Sequence, residues 1–533
     1  MLQSIRGRIR PLDRIFQHSF IQNKANLYEY AAMFLIEQDR LPEALQVLEM
    51  YKEEEYFDFT QRNPANDRRT TQASYTDLEN YWVARYTQLS QQLAKLGLKK
   101  RELERQAKRG DRIEAGHLAK LEKEISEIKQ TFSAFLEELK TAFKQAEPEQ
   151  ITKTPLEAQN YFNGLQSTLR ELGSNAVLVH YLITENQLYI LLSTSDANKP
   201  IIYQKTDRSK TQIEREVRKF RRNITRSKYS PIETAEEKAK SIAKFQTKAQ
   251  TIYNWLIKPI EKRLAKAQAK TLMVSLDGKL RYLPMAALYD GKQYLVERYA
   301  IVRYTQVAKN ILQWQPKPIS QWRAVGLGMS LEAKVEGEEF EPLTQAKTEL
   351  EQIIRQDETD LDGVLPGKIY LNDKFTAQTM QQVLTKNYSL LHIASHFKLK
   401  NSNTDLSSYL LLGDRTALTL AEIRKKYNFD GIDLLTLSAC ETGFDPQIGN
   451  GREIDGFGIL VQNKGARGIL ATLWKVESEA TSQFMPEFYR VLTENPESTK
   501  AWALQKIQKD FISNDNYAHP YYWAPFILMG NWL

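Results

Sequence analysis

The stretches SLLHIASHF (389–397) and DLLTLSACETG (433–443) decide how this chain is read. Each opens with a short apolar run, Leu390–Ala394 and Leu434–Ala439, of the kind that forms a strand buried on both faces. Each then runs into reactive side chains, Ser395 and His396 in the first and Cys440 in the second. In open parallel α/β sheets, catalytic groups gather beyond the carboxyl ends of the strands. Neighbouring strands here would bring an imidazole beside a thiol, and a thiol nucleophile needs such a base to hold it as thiolate. The residues alone leave a second reading open: Cys440 as a small buried hydrophobe and His396 as a core or surface histidine with a structural hydrogen bond.

Further apolar runs surround these two, at RAVGLG (323–328), SYLLLG (408–413) and GILATL (468–473). Helical patterns near 346–356, 374–384, 417–427, 453–463, 477–492 and 499–512 separate them, and this alternation predicts a mostly parallel sheet with helices on both faces. Upstream, AVLVHYLI (176–183) and QLYILLS (187–193) read as a hairpin. TLMVSL (271–276) followed by DGKLRYLPMAAL (277–288) reads as a strand, an Asp-Gly turn and a second strand. These strands suffice for two sheet units, one on each side of about residue 315.

The first 150 residues have a different pattern. Residues 26–57 read as one antiparallel helix pair of tetratricopeptide type, with Pro42 in the first turn of the second helix, where its missing N–H costs nothing. In 74–145, Leu118, Leu121, Ile125, Ile128, Phe132, Phe135 and Leu139 form a heptad seam. Leu78, Trp82, Tyr86, Leu89, Leu93 and Leu96 supply a comparable stripe, so two long antiparallel helices, a coiled-coil hairpin, are expected.

The chain has 533 residues, 42% hydrophobic and 26% charged, which at about 150 residues per domain predicts two to four globular domains. The apolar runs are far shorter than the roughly 18 residues that cross a bilayer, so no membrane association is expected. The Arg-rich N-terminus has no continuous apolar segment of signal-peptide type. One cysteine excludes an internal disulfide, a thiolate metal cluster and a two-cysteine redox motif, and fits a reducing, cytoplasmic setting. His392, His396 and Cys440 lack a fourth ligand, so neither a metal nor another cofactor is expected. Residues 205–270 hold 19 Lys and Arg against 7 Asp and Glu. Ile213, Val217, Phe220, Ile242, Phe245, Ile252 and Trp255 recur there at helical spacing, and a solvated basic helix face explains the charge without nucleic acid.

The motifs ASHF and SACETG place His396 and Cys440 44 residues apart, in the order that caspases use. Over residues 150–533 the chain resembles the CHAT family, caspase-like domains associated with tetratricopeptide repeats and related to separase. LHIASHF, SYLLLGD followed by LTLAEI, LLTLSACETG, GAR (465–467), ATLWKVESEAT (471–481), Phe488–Tyr489 and the terminal HPYYWAPFILMGNW carry the resemblance. Upstream, GKLRYLPMAAL and YLVERYAIVRYT match the segment this family places before its catalytic half.

The resemblance implies an α/β, caspase-like fold with a non-catalytic half over 151–315 and a catalytic half over 316–533. A tetratricopeptide-like segment (1–70) and a coiled-coil hairpin (71–150) would precede it. It further implies a cysteine endopeptidase acting on a protein substrate, with Cys440 as nucleophile and His396 as general acid and base. A regulatory protein partner on the N-terminal helices is expected, and the alternative is a catalytically silent scaffold. Backbone N–H groups of Cys440 and of the residue after the histidine would form the oxyanion hole. That second residue is commonly glycine in the family and is Phe397 here, which would be strained if a positive φ were demanded. Separase-like relatives take a basic P1 side chain on acidic residues after the LW motif; Glu477 and Glu479 stand there, with Asp405 a further candidate. The same glutamates equally suit the first turn of the following helix.

Overall fold

Strands form where the chain can be apolar on both faces, because each fully buried Val, Leu or Ile contributes about 1.5–3 kcal/mol. The computed structural model describes residues 28–60, parts of 81–103, 115–145, 156–173, 175–196, 200–226, 234–398, 408–438, 440–441 and 451–533. In chain order the strands are β1 (Ala176–Ile183), β2 (Leu188–Ser193), β3 (Ile201–Thr206), β4 (Thr271–Ser275), β5 (Ala300–Arg303) and β6 (Ala324–Gly328). Next come β7 (Ala333–Val335), β8 (Glu338–Phe340), β9 (Ile354–Arg355), β10 (Leu365–Leu371), β11 (Leu390–Ala394) and β12 (Phe397–Lys398). Then follow β13 (Tyr409–Leu411), β14 (Ala417–Thr419), β15 (Leu434–Leu437), β16 (Cys440–Glu441), β17 (Gly468–Thr472) and β18 (Phe526–Gly530).

Among the described residues twelve of these build one sheet in the order β3-β2-β1-β4-β5-β18-β17-β15-β11-β6-β10-β9. The expected hairpin β1–β2 is present, with Leu178 opposite Ser193. The expectation of two separate sheet units is corrected. β18 lies between β5, to which it is parallel, and β17, to which it is antiparallel, so both halves share one continuous sheet. The physical reason is edge satisfaction: a strand from the chain end pairs two backbone edges that would otherwise face solvent.

The expected second strand in DGKLRYLPMAAL is corrected too. Gly278–Tyr282 and Met285–Ala287 are short 3₁₀ turns. The Asp277 carboxylate accepts the N–H of Gly278 and that of Ile183, both at 2.9 Å, which curls the chain instead of extending it. Helices Ala346–Ile353, Ala377–Leu384, Leu420–Lys426, Arg452–Gln462, Ser478–Glu494 and Lys500–Ile512 stand between the strands where the periodicity places them.

The basic stretch folds as helices Lys210–Arg226 and Ala235–Leu256. Ile213, Val217, Phe220 and Phe245 are buried, and the rings of Phe220 and Phe245 meet at 4.8 Å. Outward-facing Arg215 and Lys219 both pair with Glu216, which makes this a solvated charged face. Among the described residues no helix is long and apolar enough to cross a membrane.

The chain packs as two units divided near Gly164. In the first, residues 28–37 are helical, the chain turns at Asp39 with φ +58°, and the helix Leu41–Thr60 follows. The rings of Tyr28 and Tyr51 lie 6.0 Å apart across this pair. Helical residues within 81–100 pack on the helix Ala115–Gln145 through Trp82, Tyr86, Phe132 and Phe135. Arg85 meets Glu138 at 2.9 Å and Lys100 meets Glu122 at 2.7 Å, so these two helical segments run antiparallel.

Candidate active site

β11 and β15 are parallel neighbours, from Leu390 opposite Leu434 to Ile393 opposite Leu437, so the chain leaves both at the same end of the sheet. Beyond that end the two segments pair again. β12 lies parallel to β16 with Phe397 opposite Cys440, inside a second sheet of order β14-β13-β12-β16. Paired strands are about 4.8 Å apart, which puts the Cys440 backbone one strand from the residue that follows His396. The Cys440 side chain, Asp405 and residues 442–450 lie outside the described residues.

The backbone at His396 is held by β13. The Ser395 hydroxyl donates to the Leu411 carbonyl at 2.5 Å, and the Leu411 N–H donates to the His396 carbonyl at 2.9 Å. The imidazole is buried, and its Nε2 lies 2.8 Å from the Glu341 carbonyl oxygen. A carbonyl only accepts, so Nε2 carries a proton and donates it to Glu341. The Phe340 ring packs against the imidazole at 5.2 Å. Pro342 follows Glu341 and disfavours helical backbone there, which helps aim the carbonyl at the histidine. The Glu341 carboxylate meets Lys475 Nζ at 3.0 Å, and Lys398 meets Glu338 at 2.6 Å. Neither Phe340 nor Glu341 stands out in the sequence, since a carbonyl contact has no side-chain signature.

Phe397 is extended in β12 and is not among the residues with positive φ, so the strain expected of a non-glycine residue there does not arise. Its ring is buried 4.7 Å from that of Phe457. Glu477 and Glu479 are exposed, at the N-cap and in the first turn of the helix Ser478–Glu494. Burial first, and then the charges of Glu479 and Glu477, hold the nearby Tyr517 phenol above its ordinary pKa.

His392, the other histidine of the motif, is engaged elsewhere. Its Nε2 lies 2.8 Å from Glu349 Oε1, and its Nδ1 lies 3.1 Å from the Tyr489 hydroxyl, itself 2.7 Å from Thr436 Oγ1. With both ring nitrogens engaged and the ring buried, His392 has no atom left for a metal. No cluster of three or more His, Cys, Asp or Glu suited to a metal ion is found among the described residues. Tyr489→Phe removes the hydroxyl that bridges His392 and Thr436. It is expected to cost about 1–3 kcal/mol, read as a lower urea midpoint with unchanged slope.

A mostly parallel α/β sheet flanked by helices, preceded by a helical region, is the class this fold defines. The model of the CHAT domain matches residues 246–531, more than half of the chain, and the protein belongs to the CHAT-domain family. No curated protein matches it. Among solved structures it is similar to separase from Saccharomyces cerevisiae in complex with securin, at 11% identity, with a TM-score of 0.46 and coverage of 70% of this chain and 31% of separase. A second separase–securin structure gives a TM-score of 0.44 at 11% identity, covering 72% of this chain and 32% of separase. The Arg-specific cysteine proteinase gingipain R gives 0.33 at 10% identity, over 60% of this chain and 74% of the proteinase. The chain thus spans about a third of the separase it matches.

Proposed function

We propose that this CHAT protein is a cysteine endopeptidase in which Cys440 is the nucleophile and His396 the general acid and base. The observation that supports it is the pairing of Phe397 with Cys440 next to a histidine whose Nε2 proton is committed to the Glu341 carbonyl. In this reading Nδ1 takes the thiol proton. The thiolate attacks the scissile carbonyl, with the N–H groups of Cys440 and Phe397 as the proposed oxyanion donors. The imidazolium returns its proton to the departing amine. The same ring then activates a water that hydrolyses the thioester and regenerates the thiol.

The remaining assignments belong to this reading. Residues 151–315 form the non-catalytic half and 316–533 the catalytic half, after a tetratricopeptide-like segment (1–70) and a coiled-coil hairpin (71–150). A regulatory protein binds the N-terminal helices, where Tyr30 and Tyr81 are exposed. Glu477 and Glu479, with Asp405, receive a basic P1 side chain. Cleavage-site profiling of the full chain and its Cys440→Ala variant on peptide libraries and candidate protein substrates tests the reading; equal cleavage by both sinks it.

The Glu341 contact separates backbone from side chain. Glu341→Ala keeps the carbonyl and loses an ion pair whose carboxylate is exposed, an interaction worth about 0–1 kcal/mol. Its kcat/KM is expected to stay within about fivefold of the wild type, and a loss of about 100-fold would place the side chain itself in the reaction.

A further inference from the structure

Gly451 stands eleven residues after Cys440, and the residues that meet it come from before residue 315. The Gly451 N–H donates to the Tyr282 hydroxyl at 2.9 Å. Gly451 has φ +79°, and a Cβ there would lie 2.5 Å from the Cβ of Arg281. One turn on, Asp455 is gripped by two arginines. Arg281 Nε donates to its Oδ2 at 2.8 Å, and Arg303 Nη1 donates to its Oδ1 at 3.2 Å. Arg303 also donates to the Arg281 carbonyl, so the two cations are tied to one another through backbone. Both guanidinium groups are buried, with side chains 2% and 5% exposed.

A third arginine from the same part of the chain acts on the next segment. Arg221 donates to the Leu473 carbonyl at 3.2 Å and stacks over the Trp474 ring at 4.8 Å, where the chain leaves β17 beside β15. A buried guanidinium is costly without a partner, so these contacts hold geometry in a way that surface pairs do not. Cys440 and Glu441 are held by β12, and Gly451 and Asp455 by Tyr282, Arg281 and Arg303.

We propose that Asp455, clamped by Arg281 and Arg303, is a positioning residue through which the N-terminal half of the sheet holds the Cys440 segment beside His396. The proposal deepens the peptidase reading and rests on it for its consequence in catalysis. Asp455 touches no reacting atom; it acts by fixing where the chain returns. Asp455→Asn keeps the shape and removes the charge, Asp455→Glu restores the charge, and Tyr282→Phe releases Gly451 while leaving every charge in place.

Two measurements on the full chain test it. The first is the rate of iodoacetamide alkylation against pH, specific because Cys440 is the only thiol. The wild type is expected to show a midpoint below the ordinary thiol value of about 8.5. Asp455→Asn should move the midpoint toward that value and slow labelling at pH 7 about 10-fold, with partial recovery in Asp455→Glu. The second is amide hydrogen exchange at 440–441 and 451–455, expected to quicken about 10-fold in Asp455→Asn and several-fold in Tyr282→Phe.

Unchanged exchange at 440–441 in a folded Asp455→Asn overturns the clamp. If that variant does not fold, Tyr282→Phe decides by the same readout. An ordinary midpoint in the wild type overturns the dyad instead, and the exchange data still judge the clamp on their own.

Discussion

Cys440→Ala is expected to lower peptide cleavage by at least about 10³-fold, because removing a covalent nucleophile leaves only binding and oxyanion stabilisation. The chain has no other thiol to replace it. His396→Ala should have a loss of similar size, since in the proposed reading the imidazole both takes the thiol proton and protonates the leaving amine. The double variant should be little worse than either single one, because the two groups act as a unit. Additive losses would argue that they serve separate steps. A thiol-directed probe separates the peptidase from a silent scaffold. A Cys440 labelled slowly, with an ordinary midpoint near pH 8.5, favours the scaffold.

Acid is expected to destabilise the α/β unit through His519 by about 3 kcal/mol. The His519 Nδ1 accepts the N–H of Tyr521 at 3.1 Å and so caps the short helix Pro520–Trp523. Its Nε2 lies 3.4 Å from the Ser241 hydroxyl, and burial pushes its pKa from 6.5 down to about 4. The unfolded chain binds the proton near pH 6.5 and the folded chain only near pH 4. The cost is therefore absent above pH 6.5, grows as the pH falls through that window, and is complete below about pH 4. His519→Asn keeps an acceptor for the capping N–H and cannot titrate. Urea unfolding at pH 7, 6, 5 and 4 should therefore show a shallower loss for the variant. Parallel curves would show that His519 does not set the acid limit.

The strands around the site were legible because burial on both faces leaves a readable signature: SLLHIA and DLLTLSA became β11 and β15. β18 was less legible, although FILMG is apolar, because nothing local tells a chain end to insert between β5 and β17. DGKLRYLPMAAL looked like a strand because its apolar residues recur without regard to hydrogen bonding. Asp277, reaching Ile183 on β1, turned it into 3₁₀ structure. VLPGKIYL, which becomes β10, was masked by its own Pro366 and Gly367.

At the site the division is sharper. His396 and Cys440 stand out in the sequence because only a few side chains ionise or attack carbon, and their identity is chemistry in itself. Glu341, Tyr282, Arg281, Arg303 and Asp455 do not stand out. A carbonyl aimed at an imidazole, or a carboxylate shared by two guanidinium groups 152 and 174 residues away, exists only once the chain has folded back on itself. Sequence by itself determined which atoms can react and which runs must be buried, since both follow from side-chain chemistry and local periodicity. Tertiary structure alone decided that two sheet units share one sheet and which backbone groups orient His396, because contacts between distant residues depend on topology and leave no local trace.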